Sequence, residues 1–84
     1  MSPERLLRDV AGALLRRQAV APAAQALVSL GRLLLERGRA LDAERAFDEA
    51  ALHAQSVKDQ ALSLSARIWQ AAARTDAGQL TAAE

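Results

Sequence analysis

An all-α fold, an antiparallel helix-turn-helix array of about four helices, is predicted by three features of this 84-residue chain. Apolar residues recur three and four apart over long stretches, the spacing that lines one face of a helix. Nothing alternates at period two for long enough to make a strand. The apolar content is mostly alanine and leucine, both strong helix formers. With 51% hydrophobic and 25% charged residues the chain has a globular composition, yet aromatics reach only 2%, namely Phe47 and Trp69. A chain of this size forms one small domain, residues 1–84, with a core marginally sufficient for independent stability.

Ser2 can cap a first helix whose opening turn accepts Pro3, and Leu6, Val10, Ala13 and Leu14 give it an apolar face over 3–17. Residues 18–21 connect it to a second helix opened by Pro22 and running to about Arg37. That helix is apolar apart from a narrow stripe, Gln25, Ser29, Arg32 and Glu36, so it is expected to be covered on more than one side. Gly38 can take the left-handed conformation that ends a helix. The third helix is expected to start near Leu41 or Asp42, where a carboxylate suits the positive helix terminus, and to end near Ser56. The fourth opens at Lys58 or Asp59 and runs to about Asp76.

Within 23–55 the residues read Leu27-x2-Leu30-Gly31-x2-Leu34-x3-Gly38-x4-Ala43-x3-Phe47-x2-Ala50. Leu27, Leu30 and Leu34 share a face, beside which Gly31 removes a side chain and lets a second backbone come close. Ala43, Ala46, Phe47, Ala50 and Ala54 set one bulky residue among small ones on the following helix. This spacing resembles the tetratricopeptide helix pair, whose pattern runs Trp-x2-Leu-Gly-x2-Tyr, then Ala-x3-Phe, then Pro. Leu27 stands in the tryptophan position, Leu34 in the tyrosine position, and no proline occurs near Gln55. Apolar bulk is kept while the helix stop is lost, so the third helix is expected to run on toward Ser56.

Residues 78–84, Gly-Gln-Leu-Thr-Ala-Ala-Glu, echo Gly38 to Glu44 at an offset of 40, and so predict a second, incomplete helix pair over 59–84 with a turn at Gly78. That offset exceeds the usual tetratricopeptide period of about 34 residues, which calls for longer helices. A polar stripe, Ser63, Arg67, Gln70 and Arg74, copies Gln25, Ser29, Arg32 and Glu36 at an offset of 38. The stripe sets the expected facing and the glycine the expected turn. If the chain ends at Glu84, the fourth helix lacks the partner that would cover Leu64, Ile68 or Trp69, and a bare stacking face is an apolar patch. A longer array, a second copy or another protein would cover it; the alternative is that the first helix folds back to close a four-helix bundle.

The chemistry-bearing residues form no catalytic constellation. His53, the single histidine, follows Glu49 by four residues, and a general base needs a pocket and a nucleophile as well. The carboxylates Asp42, Glu44, Asp48 and Glu49 sit among arginines as on a solvated helix face. Ser29, Ser56, Ser63 and Ser65 lack Gly-x-Ser-x-Gly surroundings, and the four glycines are isolated, so no nucleophile elbow or phosphate-cradling loop is encoded. With no cysteine, disulfides, thiolate chemistry and the commonest zinc sites are excluded. The expectation is a non-enzymatic chain with no catalytic residue, cofactor or metal. A net charge of +1, from eleven basic and ten acidic residues, gives no global field toward nucleic acid or an anionic membrane. The start carries charges of both signs and no sustained apolar run, so neither a secretory signal nor a membrane span is expected, and a cytoplasmic location follows.

The resemblance implies a protein-protein interaction or assembly module. In tetratricopeptide proteins the first helix of each pair lines a groove that receives a peptide or partner helix. Carried over, this puts Gln25, Ser29, Arg32 and Glu36 in the groove, with Ser63, Arg67, Gln70 and Arg74 beside them by the stripe argument. Such a groove is mildly basic and would suit an acidic or carboxylate-bearing peptide held by arginine forks. Arg16, Arg17, Arg37 and Arg39 need no such role, since cations suit helix C-termini. Trp69 is expected in core or interface packing rather than as a stacking platform. Two other classes stay open: a homodimer through apolar faces, and a nucleic-acid-associated regulatory module using arginines on phosphates.

Overall fold

The computed structural model describes the backbone of residues 2–82 and the side chains of residues 2–78. Among the described residues four helices follow one another: α1 (Pro3–Arg16), α2 (Val20–Glu36), α3 (Ala40–Ser56) and α4 (Gln60–Ala82). Each packs antiparallel on its sequence neighbour, α2 and α4 also touch, and α1 meets neither α3 nor α4 along the backbone. The expected all-α helix-turn-helix array is therefore what forms, and it is open: α1 does not fold back to close a bundle. With extents of 43 × 32 × 12 Å it is little more than one helix thick.

Local sequence explains the helix starts. The Ser2 side chain accepts a hydrogen bond from the Arg5 N–H at 3.2 Å, with Pro3 in the first turn. Asp59 does the same for the Leu62 N–H at 3.1 Å. α2 begins at Val20, two residues before the proline expected to open it, because the N–H that Pro22 lacks belongs to the first turn and has no intrahelical partner. α3 likewise begins at Ala40, slightly ahead of Leu41 and Asp42, with Asp42 in its first turn bridged to Arg39 at 2.6 Å.

Three reversals of one geometry set the array. Gly38 takes φ 76°, and Gln18 and Lys58 take φ 60° and 59°, so a left-handed residue recurs every twenty positions. At each, the following N–H donates back five residues: Ala19 to the Leu14 carbonyl at 2.8 Å, Arg39 to Leu34 at 2.9 Å, Asp59 to Ala54 at 2.9 Å. The left-handed residue itself donates to the carbonyl three back, completing a Schellman closure. At Gly78 the expected fourth reversal does not occur. α4 passes through it to Ala82, since among helix formers each further residue adds a backbone bond, against a glycine cost of about 1 kcal/mol. The expected second helix pair is thus one continuous helix, and its last two residues, 83 and 84, lie outside the described residues.

Alanine makes the core. Among the described residues, eleven of the fifteen buried apolar residues are alanine, which lets helix axes come close but buries little area per residue. Bulk is concentrated in Leu27, Leu30, Leu34 and Phe47, all buried, as are Ala43 and Ala50. Phe47 and Leu27 are the largest fully buried side chains. The Phe47 ring fills the gap left by Gly31: a methyl placed there would meet three ring carbons at 2.5–2.8 Å. On its other side Phe47 stacks with Trp69 of α4, centroids 5.9 Å apart and planes 20° apart.

Phe47→Ala is expected to cost about 3–5 kcal/mol by chemical denaturation, and a loss under about 1 kcal/mol would contradict this packing. Gly31→Ala should destabilise by about 1–2 kcal/mol despite its better helix propensity, and should turn neutral or stabilising when Phe47→Leu is also present. Replacing Gln18 or Lys58 by glycine should stabilise by about 0.5–1 kcal/mol each, seen as a raised Tm, whereas Gly38→Ala should lower it.

Candidate interaction surfaces

The outward stripe of α2 is exposed as expected: Gln25, Ser29, Arg32 and Glu36 all face away from the core. The Arg32 guanidinium lies 4.9 Å from the centroid of the Trp69 ring, over the same aromatic that stacks on Phe47. Trp69 is half-buried and ties α2, α3 and α4 together, so it packs rather than standing uncovered.

The second stripe lies elsewhere. Arg67 Nη1 donates to Asp48 Oδ1 at 2.7 Å and to Gln70 Oε1 at 2.6 Å, and Arg74 Nε donates to Glu44 Oε1 at 3.0 Å. Gln70 is buried and Ser63 half-buried. These residues run along α4 where it faces the Glu44 and Asp48 side of α3, and Gln70 and Arg74 share a shallow cleft with Leu41 and Arg45. At about 100° per residue, Trp69 sits nearly opposite Arg67 on α4. The eight residues expected in one groove are therefore divided between two surfaces. An offset of 38 and one of 40 differ by two residues, about 200° of helix rotation, which carries a side chain from one side to the other. The offset of 40 that spaces the turns also governs facing, and it aligns Gln25, Ser29, Arg32 and Glu36 with Ser65, Trp69, Ala72 and Asp76. Arg67 and Arg74 already hold carboxylates of their own chain, which offsets the charge an acidic peptide would use.

On the other side, α1 and α3 flank a groove of about 410 Å³ with Leu30 and Leu34 in its floor. Ion pairs cross it: Arg8 to Glu49 at 2.9 Å and Arg39 to Glu4 at 3.0 Å, with Arg37 reaching Glu4 at 3.5 Å. Such exposed pairs hold α1 in place weakly, at about 0–1 kcal/mol each. Sequence reasoning missed this groove, because it depends on α1 and α3 lying side by side across α2.

The two edges of the array differ. Leu7 and Ala11 of α1 turn toward the core, which leaves Arg5, Asp9 and Arg16 along the free edge, with the exposed Leu6 and Val10 on its shoulder. On α4, Ala66, Gln70 and Ala73 are buried, and the opposite edge carries Leu64, Ile68, Ala71 and Thr75. Leu64 and Ile68 are each 63% exposed. Thr75 Oγ1 donates to the Ala71 carbonyl at 3.0 Å, so the hydroxyl on this edge is satisfied within its own helix.

His53 is half-buried on α3, and among the described residues no group of three His, Cys, Asp or Glu side chains could hold a metal ion. No helix among them is long and apolar enough to cross a membrane. Compared with known protein families, curated proteins and solved structures, the chain matches none of them. Its resemblance to tetratricopeptide repeats thus rests on the residues themselves.

Proposed function

We propose that this chain is a non-enzymatic protein-interaction or assembly module of the tetratricopeptide-like helical-repeat kind, which takes a partner helix against the free edge of α4. The observation that carries this reading is the uncharged stripe of Leu64, Ile68, Ala71 and Thr75, with its two largest side chains almost two-thirds exposed. In an array where each helix is covered by the next, α4 presents toward the outside the kind of surface that α2 and α3 bury against each other. A groove-bound acidic peptide receives less support, because Arg67 and Arg74 are engaged with Asp48 and Glu44. Nucleic-acid binding receives less again, since Arg8, Arg37 and Arg39 are also paired with carboxylates and the net charge is only +1.

The double substitution Leu64→Glu with Ile68→Glu tests the reading, because it changes the edge while removing little buried area. Its unfolding free energy should stay within about 0.5 kcal/mol of the parent. A fluorescent amphipathic Leu/Ala helix of about 20 residues should bind the parent chain, read by anisotropy, and should lose at least about tenfold in affinity to the variant. Equal affinity for both chains would remove the α4 edge as the docking surface.

A further inference from the structure

We infer that the partner covering the α4 edge is a second copy of this chain, docked α4 against α4 in antiparallel orientation about a twofold axis near Ile68; this rests on the α4 edge being the docking surface. Two observations select that occupant. The opposite edge of the array carries Arg5, Asp9 and Arg16, so head-to-tail stacking would press the apolar stripe against charges and strand them. Leu64, Ile68, Ala71 and Thr75 carry no charge, Arg67 and Arg74 beside them are paired with Asp48 and Glu44, and the Thr75 hydroxyl is bonded within α4, so two copies meet there without an unpaired like charge or an orphaned donor. Charges near the two ends of the stripe bias the orientation: Lys58 precedes the helix, and Asp76 lies one residue past Thr75, about 100° round the helix on the Trp69 side, both exposed. Antiparallel pairing brings each Lys58 toward the partner's end that carries Asp76, whereas parallel pairing would set lysine beside lysine and aspartate beside aspartate.

The interface is isologous, with Ile68 close to its own symmetry mate. One helix edge buries much less than the roughly 800 Å² per partner of a standard interface, so association belongs in the micromolar to sub-millimolar range. The dimer would place the two arrays edge to edge and leave the α1–α3 groove and the Arg32–Trp69 face of each copy open.

Sedimentation equilibrium from micromolar to near-millimolar concentration, with circular dichroism as the control for folding, tests this. The parent chain should form a dimer, and Ile68→Arg should weaken it at least about tenfold by setting two arginines together at the axis. Lys58→Asp, tolerated because aspartate accepts the left-handed backbone at that position, should weaken it about threefold to tenfold. Adding Asp76→Lys to Lys58→Asp should restore the parent affinity. A parent chain that stays monomeric at near-millimolar concentration overturns the second copy as occupant, and the Leu/Ala helix titration then still decides whether α4 docks helices. A dimer insensitive to Ile68→Arg overturns the α4 interface, and a double swap no better than Lys58→Asp alone overturns the antiparallel orientation.

Discussion

The seating of the Phe47 ring in the gap at Gly31 is the contact on which the rest of this array depends. Most buried positions are alanine, and alanine alone brings helices together without fixing how they are rotated or slid. Phe47 supplies what alanine lacks. One side of its ring meets the bare backbone of α2 at Gly31, and the other stacks on Trp69 of α4, so one side chain on the central helix registers three of the four helices. Arg32 closes the stack from outside by covering the Trp69 ring.

From that centre outward the structure thins. α2 and α3 are held on both flanks, whereas α1 is held by α2 and by exposed ion pairs from Arg8 and Glu4. An open array in which each helix leans on its neighbour has edges, and the edges determine what the chain can meet. The edge of α1 carries Arg5, Asp9 and Arg16 with Leu6 and Val10 beside them, while the edge of α4 presents an uncharged stacking surface. The interaction role proposed above follows from this asymmetry more than from any cluster of reactive groups.

Much of the fold is legible in the residues. The helix pair within 23–55 is written in Leu27, Leu30, Gly31, Leu34 and Phe47, and the turn in Gly38, because each of these types does something few others can. The turns at Gln18 and Lys58 are not legible in the same way. Neither residue favours a left-handed backbone, and packing of the flanking helices imposes it on both. Gly78 misleads for the converse reason, since glycine permits a reversal without requiring one, and α4 continues through it. The candidate surface is half legible: the α2 stripe faces outward as its pattern says, while the polar pattern on α4 lies two residues out of phase with the face that continues the α2 stripe. Polar residues such as Arg67 and Gln70 look like an exposed stripe in sequence, yet they turn toward α3 here, where Arg67 donates to Asp48 and to the Gln70 side-chain oxygen.

Native-state hydrogen exchange, resolved residue by residue, addresses the central claim that stability radiates from the Phe47–Gly31 contact. Amides of α2 and α3 around that contact should exchange only by global unfolding, while those of α1 and of α4 beyond Ala73 should open at free energies lower by about 1 kcal/mol or more. Uniform protection across all four helices, or greatest protection in α1, would contradict the account.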